Sequence, residues 1–250
     1  MNERQQKIQT IISENGEAKL SELEQIFPDI STMTLRRDLE KLETLGDIVR
    51  TRAGAKSIAY LTRLKEVQYS ERESESIPEK RLIAQKAYGF VTQGSSVFLD
   101  AGTTVTTLAK LLVSDRLFVV TTAPNIALEC AKNPGITVFL TGGQLSSGNL
   151  SLSGINALSF LDNINIDIAF MAASGFAWSS GFTCGNFDEC LLKKRVIEKA
   201  AKVYMLADSS KFGKSMPFTI AGLSDIDMLI TDGDVPGDVL EELMKQVEVA

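Results

Sequence analysis

The chain contains no histidine and only three cysteines, and each scarcity narrows what it can do. Without imidazole, a zinc site would need an unusual ligand set. Cys130, Cys184 and Cys190 show neither CxxC spacing nor an even count, so no disulfide framework is implied. No apolar run approaches the roughly 20 residues that cross a bilayer. The N-terminal stretch "MNERQQKIQTIISENG" lacks the long apolar core of a secretory signal. Internal repeats and low-complexity tracts are absent as well. These absences lead to the expectation of a soluble, cytoplasmic protein with reduced thiols, no membrane partner, no metal and no cofactor.

What is present is ordinary in bulk and uneven in distribution. With 250 residues, 44% of them hydrophobic, the chain can build one large domain or a small one joined to a larger one. The formal net charge of -6 argues against a protein that coats nucleic acid indiscriminately. It leaves room for one small DNA-binding module beside a larger one with another task.

Residues 1–60 read as three helices and a hairpin. Ile8, Ile11 and Ile12 stand at helical spacing before Gly16; Leu20, Leu23, Ile26 and Phe27 repeat it before Pro28 and Asp29. Ser31 suits the N-cap of a third helix with the apolar stripe Leu35, Leu39, Leu42 and Leu45, ended by Gly46 and Asp47. "IVRTRAGAKSIAY" then alternates like two short strands around Ala53 and Gly54. Residues 61–80, which include "RLKEVQYSERESESIPEK", are charged and poor in large apolar side chains, as expected of a partly helical linker.

From residue 81 to 250 the pattern changes. "SSVFLD", "LFVVTT", "ITVFLTGG", "IDIAFMAAS", "KVYMLADSS" and "IDMLITD" are short apolar runs of the kind that form buried parallel strands. Helical segments lie between them, as at residues 105–112, 125–132 and 188–201. The expected fold class is therefore α/β: a mostly parallel sheet covered on both faces, with ligands at the carboxyl ends of its strands.

The third helix carries the first functional signal. At about 100° per residue, its leucine stripe turned inward puts Met33, Arg36, Arg37, Glu40 and Lys41 on the outward half. Thr32 and Thr34 fall at its margins. A recognition helix uses such a face in the major groove, arginine reading guanine edges and phosphates. Arg50, Arg52 and Lys56 on the hairpin add a basic wing that can follow the backbone. A solvated helix in a small helical cap is the alternative for the arginines alone; the three-helix spacing and the basic hairpin together favour DNA.

Two turns in the larger part carry the second signal. In "VFLDAGTTVTTLAKLL", Gly102 permits close approach of the backbone, and Thr103 and Thr104 offer hydroxyls beside the free N–H groups of a helix start. In "YMLADSSKFGKS", Asp208 closes a strand and Lys211 follows in a loop, where an ammonium can meet a phosphate. A capping turn and a surface turn are the plainer readings of each.

"STMTLRRDLEKLETLGDIVRTRAGA" resembles the N-terminal signature of the DeoR family of bacterial transcription regulators. In that family a winged helix-turn-helix carries a TIRRDL-type recognition helix and a wing ending in HGGA; this chain has Arg52, Ala53, Gly54 and Ala55 there. The resemblance implies DNA contacts from Ser31, Thr32, Thr34, Arg36, Arg37, Lys41, Arg50 and Arg52. It continues through the rest of the chain to about Asp232. The family's sensor domain resembles the ribose-5-phosphate isomerase fold, with DSGTT and DHSKF loops bordering a pocket for a phosphorylated metabolite. This chain reads Asp100-Ala101-Gly102-Thr103-Thr104 and Asp208-Ser209-Ser210-Lys211-Phe212. The implied effector residues are Asp100, Gly102, Thr103, Thr104, Thr122, Gly142, Gly143, Gly175, Glu189, Asp208 and Lys211. Three departures bear on ligand choice: Thr121-Thr122 replaces Thr-Asn, Ser209 replaces a histidine, and Ala172-Ala173-Ser174 replaces a glycine-rich strand end.

Glu189, Asp100 and Asp208 are also candidates for the base of an isomerase. Carboxylates at strand ends serve equally as partners for sugar hydroxyls, and a tethered DNA-binding module favours sensing over catalysis. The expectation is a repressor of a sugar-metabolism operon, not an enzyme, with double-stranded operator DNA and a phosphorylated sugar as partners. Two-fold operators call for a homodimer or higher homo-oligomer. The rival readings are a sugar-phosphate isomerase-like enzyme with an appended helical domain, and a protein-binding adaptor.

Overall fold

The computed structural model describes residues 3–15, 17–51, 54–57 and 68–250. The chain divides into two compact units, Met1–Lys65 and Glu66–Ala250.

The first unit is built from α1 (Glu3–Asn15), β1 (Glu17–Lys19), α2 (Leu20–Ile26), α3 (Thr32–Thr44), β2 (Ile48–Arg50) and β3 (Gly54–Ser57). Its core joins Ile8, Ile12, Ala18, Leu23, Leu35, Leu39, Leu42, Ile48 and Ala55, with a contribution from each element. The helices form where the leucine and isoleucine spacing predicts. The last residue of the expected stripe does not: Leu45 is 56% exposed, because α3 stops at Thr44 and Gly46 turns the chain away at φ 82°. Periodicity alone also misses β1, a three-residue strand whose partner β3 lies far along the chain. That pairing explains Gly54. A Cβ there would stand 2.0 Å from the Ala18 carbonyl oxygen. Gly16, Arg52 and Ala53 lie outside the described residues.

In the second unit, the span expected as a linker is structured from Tyr69 onward: α4 (Tyr69–Ser74) and α5 (Ile77–Tyr88) occupy it. Tyr69 is buried, and its hydroxyl donates to Thr106 Oγ1 at 3.0 Å and accepts from Asn125 Nδ2 at 2.8 Å. Glu71, Glu73 and Glu75 face solvent while Tyr69 and Lys80 are buried, a distinction that composition cannot register. Residues 61–67 lie outside the described residues.

A seven-stranded, wholly parallel sheet then follows. Its strands are β4 (Ser96–Leu99), β5 (Leu117–Thr121), β6 (Ile136–Leu140), β9 (Ile166–Ala172), β12 (Ala200–Leu206), β14 (Met228–Ile230) and β15 (Glu248–Val249), in the order β15-β14-β12-β9-β4-β5-β6. Alternate side chains enter opposite cores: Val97 and Leu99 pack with α5 and α6 (Thr103–Ala109), whereas Phe98 packs on the other face. That second face is covered by α8 (Ile155–Asp162) and α9 (Phe187–Lys199), which contribute Leu161 and Val196. Burying Phe98 and Phe170 completely contributes about 1.5–3 kcal/mol each. Two small antiparallel sheets were not expected: β7 (Gln144–Ser146) with β8 (Ser151–Ser153), and β10 (Gly175–Ala177) with β11 (Gly181–Cys184) and β13 (Phe218–Ala221). The remaining helices are α7 (Pro124–Cys130) and α10 (Gly237–Met244). No described helix is long and apolar enough to cross a membrane.

The strand order reverses direction in sequence between β4 and its neighbour β9. At such a switch point the connections leave in opposite directions and open a crevice at the carboxyl ends.

Candidate functional site

In the first unit, α3 presents one polar face. Ser31 caps the helix, its Oγ accepting from the Thr34 amide at 3.3 Å and lying 2.9 Å from Thr34 Oγ1. Thr32 Oγ1 donates to Glu24 Oε1 at 2.6 Å, tying the start of α3 to α2. Met33, Arg36, Arg37, Glu40 and Lys41 are all exposed, as the helical wheel predicts. Among the described residues Arg36 and Arg37 take part in no ion pair. Their donors are therefore open to an outside acceptor.

The hairpin is less free. Arg50 donates from its amide to Glu43 Oε1 at 2.9 Å and from Nε to Glu43 Oε2 at 2.6 Å, and Glu40 lies 3.8 Å away. Those bonds, the amide's first, hold the Glu43 carboxyl below its usual range. Arg50 must break them to reach a phosphate. Arg52 lies outside the described residues. One residue that sequence reading missed positions the whole face: Asp38 is buried on α3 and accepts from Arg4 Nε at 2.6 Å and Gln5 Nε2 at 2.8 Å. This clamps α1 to α3, and it stood out in the sequence only as an acid inside an apolar stripe.

In the second unit, the strand ends gather polar side chains along one rim. Asp100 follows β4, Thr122 follows β5, Thr141 and Gly142 follow β6, Asp208 follows β12 and Asp232 follows β14. At the switch point sits a buried ion cluster. Lys193 Nζ donates to Asp100 Oδ2 and, at 3.0 Å, to the Ala172 carbonyl; Glu189 Oε1 lies 3.2 Å away. Asp100 also accepts from the Ala101 and Ala172 amides, both at 2.9 Å. Glu189 accepts from Asn149 Nδ2 at 2.8 Å, and Arg72 donates to Asn149 Oδ1 at 3.3 Å. Burial disfavours the Lys193 ammonium, but Asp100 and then Glu189 outweigh it and raise its pKa. A lysine on one helical turn from Glu189 is visible in the sequence; its union with Asp100, 93 positions away, is not.

The expected glycines divide by role. Gly102 packs so closely that a Cβ would lie 2.9 Å from the Ala172 methyl, so its smallness serves strand packing at the switch point. Gly142 and Gly143 sit at φ 74° and 110°, and a Cβ on Gly143 would be 2.4 Å from the Ser153 carbonyl oxygen. Gly175 meets the Lys214 carbonyl oxygen in the same way, at 2.6 Å. Thr103 and Thr104 are buried at the start of α6, where helix N–H groups lack intrahelical acceptors. Thr122 is buried too, and its carbonyl accepts from Leu152 at 2.8 Å.

The loop after β12 is pinned from both ends. Asp208 Oδ1 accepts from the Ser210 amide at 3.1 Å, and Ser209 donates its amide and hydroxyl to Asp232. Phe212 packs on Phe176, ring centroids 5.6 Å apart, which fixes the half-buried Lys211 beside it. Lys211 Nζ stands 3.8 Å from Asp208 Oδ2, an oxygen that is buried and accepts no hydrogen bond. The loop thus offers one cation and one open acceptor at the rim. Cys184 and Cys190 are buried free thiols donating to the carbonyls of Asn186 and Thr219; burial pushes Cys184 up to about 12. Both serve packing.

Both units match known protein families. Residues 4–60 match the DeoR-like helix-turn-helix domain, and residues 75–233 match the DeoR C terminal sensor domain. The chain is 38% identical over 248 residues to the HTH-type transcriptional regulator YulB of Bacillus subtilis (strain 168), covering 99% of this chain and 95% of that one. It is 32% identical to the lactose phosphotransferase system repressor of Streptococcus mutans, over 99% and 98% of the two chains. Among solved structures, ribose 5-phosphate isomerase A from Methanocaldococcus jannaschii matches 53% of each chain at 19% identity, with a TM-score of 0.39. By both of its domains and nearly its whole length, the chain belongs to the DeoR family of helix-turn-helix transcription regulators.

Proposed function

We propose that this regulator represses a sugar-use operon in the cytoplasm and releases its operator when a phosphorylated sugar occupies the strand-end rim. The observation that carries the reading is the union, in one chain, of two unpaired arginines on an exposed helix with a strand-end rim rich in paired carboxylates. The first suits duplex DNA, whose phosphates and guanine edges accept from arginine. Ser31, Thr32 and Thr34 set the helix start, Arg36, Arg37 and Lys41 reach the duplex, and Arg50 and Arg52 follow its backbone. The second suits a small polyol phosphate. Thr103, Thr104 and Lys211 take the phosphate, while Asp100, Glu189 and Asp208 face hydroxyls, with Gly102, Thr122, Gly142, Gly143 and Gly175 shaping the rim. Relatives named as repressors, one of them of a lactose phosphotransferase system, support the sugar-operon assignment.

Two-fold operators require at least a homodimer. A coupling of about 1–3 kcal/mol between the sites changes DNA affinity roughly 5- to 150-fold. The variant Lys211→Ala tests the effector site: operator binding should survive while the response to phosphorylated sugar disappears. An unchanged response would remove Lys211 from the site.

A further inference from the structure

The seven-stranded sheet ends in two edges that differ. β15 holds two residues, one of them Glu248. A short, charged strand of this kind blunts an edge against further pairing. At the other end β6 reads Ile136-Thr137-Val138-Phe139-Leu140, five residues without a charge or a proline. Such an edge is a template for another strand.

The backbone shows which groups of β6 are open. The Leu117 amide donates to the Gly135 carbonyl at 3.4 Å, and the Thr141 amide donates to the Thr121 carbonyl at 3.1 Å. Gly135, Thr141 and the alternate residues between them thus turn their backbone groups toward β5. In a parallel ladder the intervening residues turn theirs away. Val138 and Leu140 therefore present amide and carbonyl outward, and none of these groups has a partner among the described residues. The Ile136 amide is closed, donating to the Asn133 carbonyl at 3.1 Å.

The side chains at this edge are apolar and uncovered. Phe118 stands in register with Thr137, and Val120 with Phe139. Phe118 and Phe139 are thus diagonal neighbours on the face that Val120 shares with Phe98. They are 51% and 39% exposed, and Leu140 on the opposite face is 41% exposed.

Charge decides what fits there. Residues 133–161, which include all of β6, contain no Asp, Glu, Lys or Arg, in a chain with 26 basic and 32 acidic residues. Depletion of charge marks the core of protein interfaces. The strip offers a nucleic acid no cation and a charged peptide no counter-charge. Two copies of this chain each carry a formal net charge of -6. A neutral strip is where they can meet without like-charge repulsion.

We propose that β6 pairs antiparallel with the β6 of a second copy, about a two-fold axis at Phe139, joining the two sheets into one. In this register Val138 lies opposite Leu140 of the second copy, so each open amide faces an open carbonyl. Phe139 meets its own counterpart at a non-hydrogen-bonded position, where Cα atoms stand about 4.5 Å apart. Phe118 of each copy extends that aromatic contact. The contact uses the same patch on both copies and closes as a dimer. The choice of a second copy rests on the operator reading above, which calls for a dimer, and adds to it the surface that makes one.

Sedimentation equilibrium of the full chain reads the dimer, and Trp178 fluorescence checks that each variant is folded. Phe139→Lys sets two ammonium groups against each other and should weaken dimerisation roughly tenfold or more. Val138→Pro removes an outward amide that β5 does not use, and should weaken it likewise. On oxidation Phe139→Cys should give a disulfide-linked dimer, because the paired Cα atoms lie within reach of an S–S bond. Leu140→Cys should not, since it faces Val138; the native cysteines are buried.

A wild type that sediments as a monomer overturns the pairing and the dimer reading together. A wild type whose dimer survives both Phe139→Lys and Val138→Pro places the interface elsewhere and leaves the dimer reading standing. Linkage through Leu140→Cys but not Phe139→Cys overturns the register. If Val138→Pro does not fold, Phe139→Lys and the two cysteine variants decide. A monomeric Phe139→Lys that still binds the operator like the wild type would support the interface and sink the dimer requirement instead.

Discussion

The two units use positive charge in opposite ways. On α3, Arg36 and Arg37 stand in solvent and pair with nothing among the described residues. At the switch point, Lys193 is 2% exposed and meets a carboxylate, a second carboxylate and a carbonyl. An exposed charge keeps its hydration and stays available to any polyanion, at little cost to stability. A buried ammonium such as that of Lys193 exists only with a full set of acceptors and is then closed to outside partners. In the proposed function the first unit is thus a surface that reads, and the second a frame that holds polar groups in register for a small ligand. Lys211 stands between these extremes, half-buried and 3.8 Å from one carboxylate oxygen.

The contrast can be broken at several points. The largest effect should come from Lys193→Met, which leaves Asp100 and Glu189 buried without their cation and should lower stability by about 3–5 kcal/mol. Urea unfolding followed by Trp178 fluorescence reads this unit, since Trp178 is the sole tryptophan. A loss below about 1 kcal/mol would mean that the cluster is not what holds the rim. Pairing that change with Asp100→Asn and Glu189→Gln should recover part of the loss.

Gly54→Ala attacks the other unit. A Cβ 2.0 Å from the Ala18 carbonyl must push β1 and β3 apart, and overpacking of this kind costs about 1–3 kcal/mol. Calorimetry should show the first unit melting earlier while the Trp178 transition stays in place. Movement of both transitions would show that the two units do not unfold separately.

Arg37→Ala sharpens the contrast, because it should leave both transitions alone. Removing a base-reading arginine costs about 1–3 kcal/mol of discrimination, and removing a phosphate contact lowers the slope of log affinity against log salt by about one. A titration at several salt concentrations separates the two. Unchanged operator affinity would take Arg37 out of the interface.

Much of this was legible locally. The leucine stripe of α3, its Ser31 cap and the outward arginines follow from spacing within one helix. The parallel strands follow from apolar runs bounded by small residues. Asp100 and Asp208 were legible as strand-end acids because both close such runs. What escaped depends on distant partners. The ion cluster needs Asp100 beside Lys193, β1 needs β3, and the glycine requirement at Gly54 comes from the Ala18 carbonyl. Lys80 and Tyr69 were hidden in a charged stretch that reads as solvated, since burial of one lysine or one tyrosine leaves no trace in composition. Leu45 erred the other way: the period continues through it, but Gly46 ends the helix first.

The most direct test of the whole account is fluorescence anisotropy of the full chain with a duplex from just upstream of its own operon. It is run at two salt concentrations and repeated with a panel of phosphorylated sugars. The account predicts specific binding that falls steeply with salt and shifts roughly 5- to 150-fold with one sugar phosphate. Binding no tighter than to random duplex, or specific binding that no phosphorylated sugar alters, would contradict it.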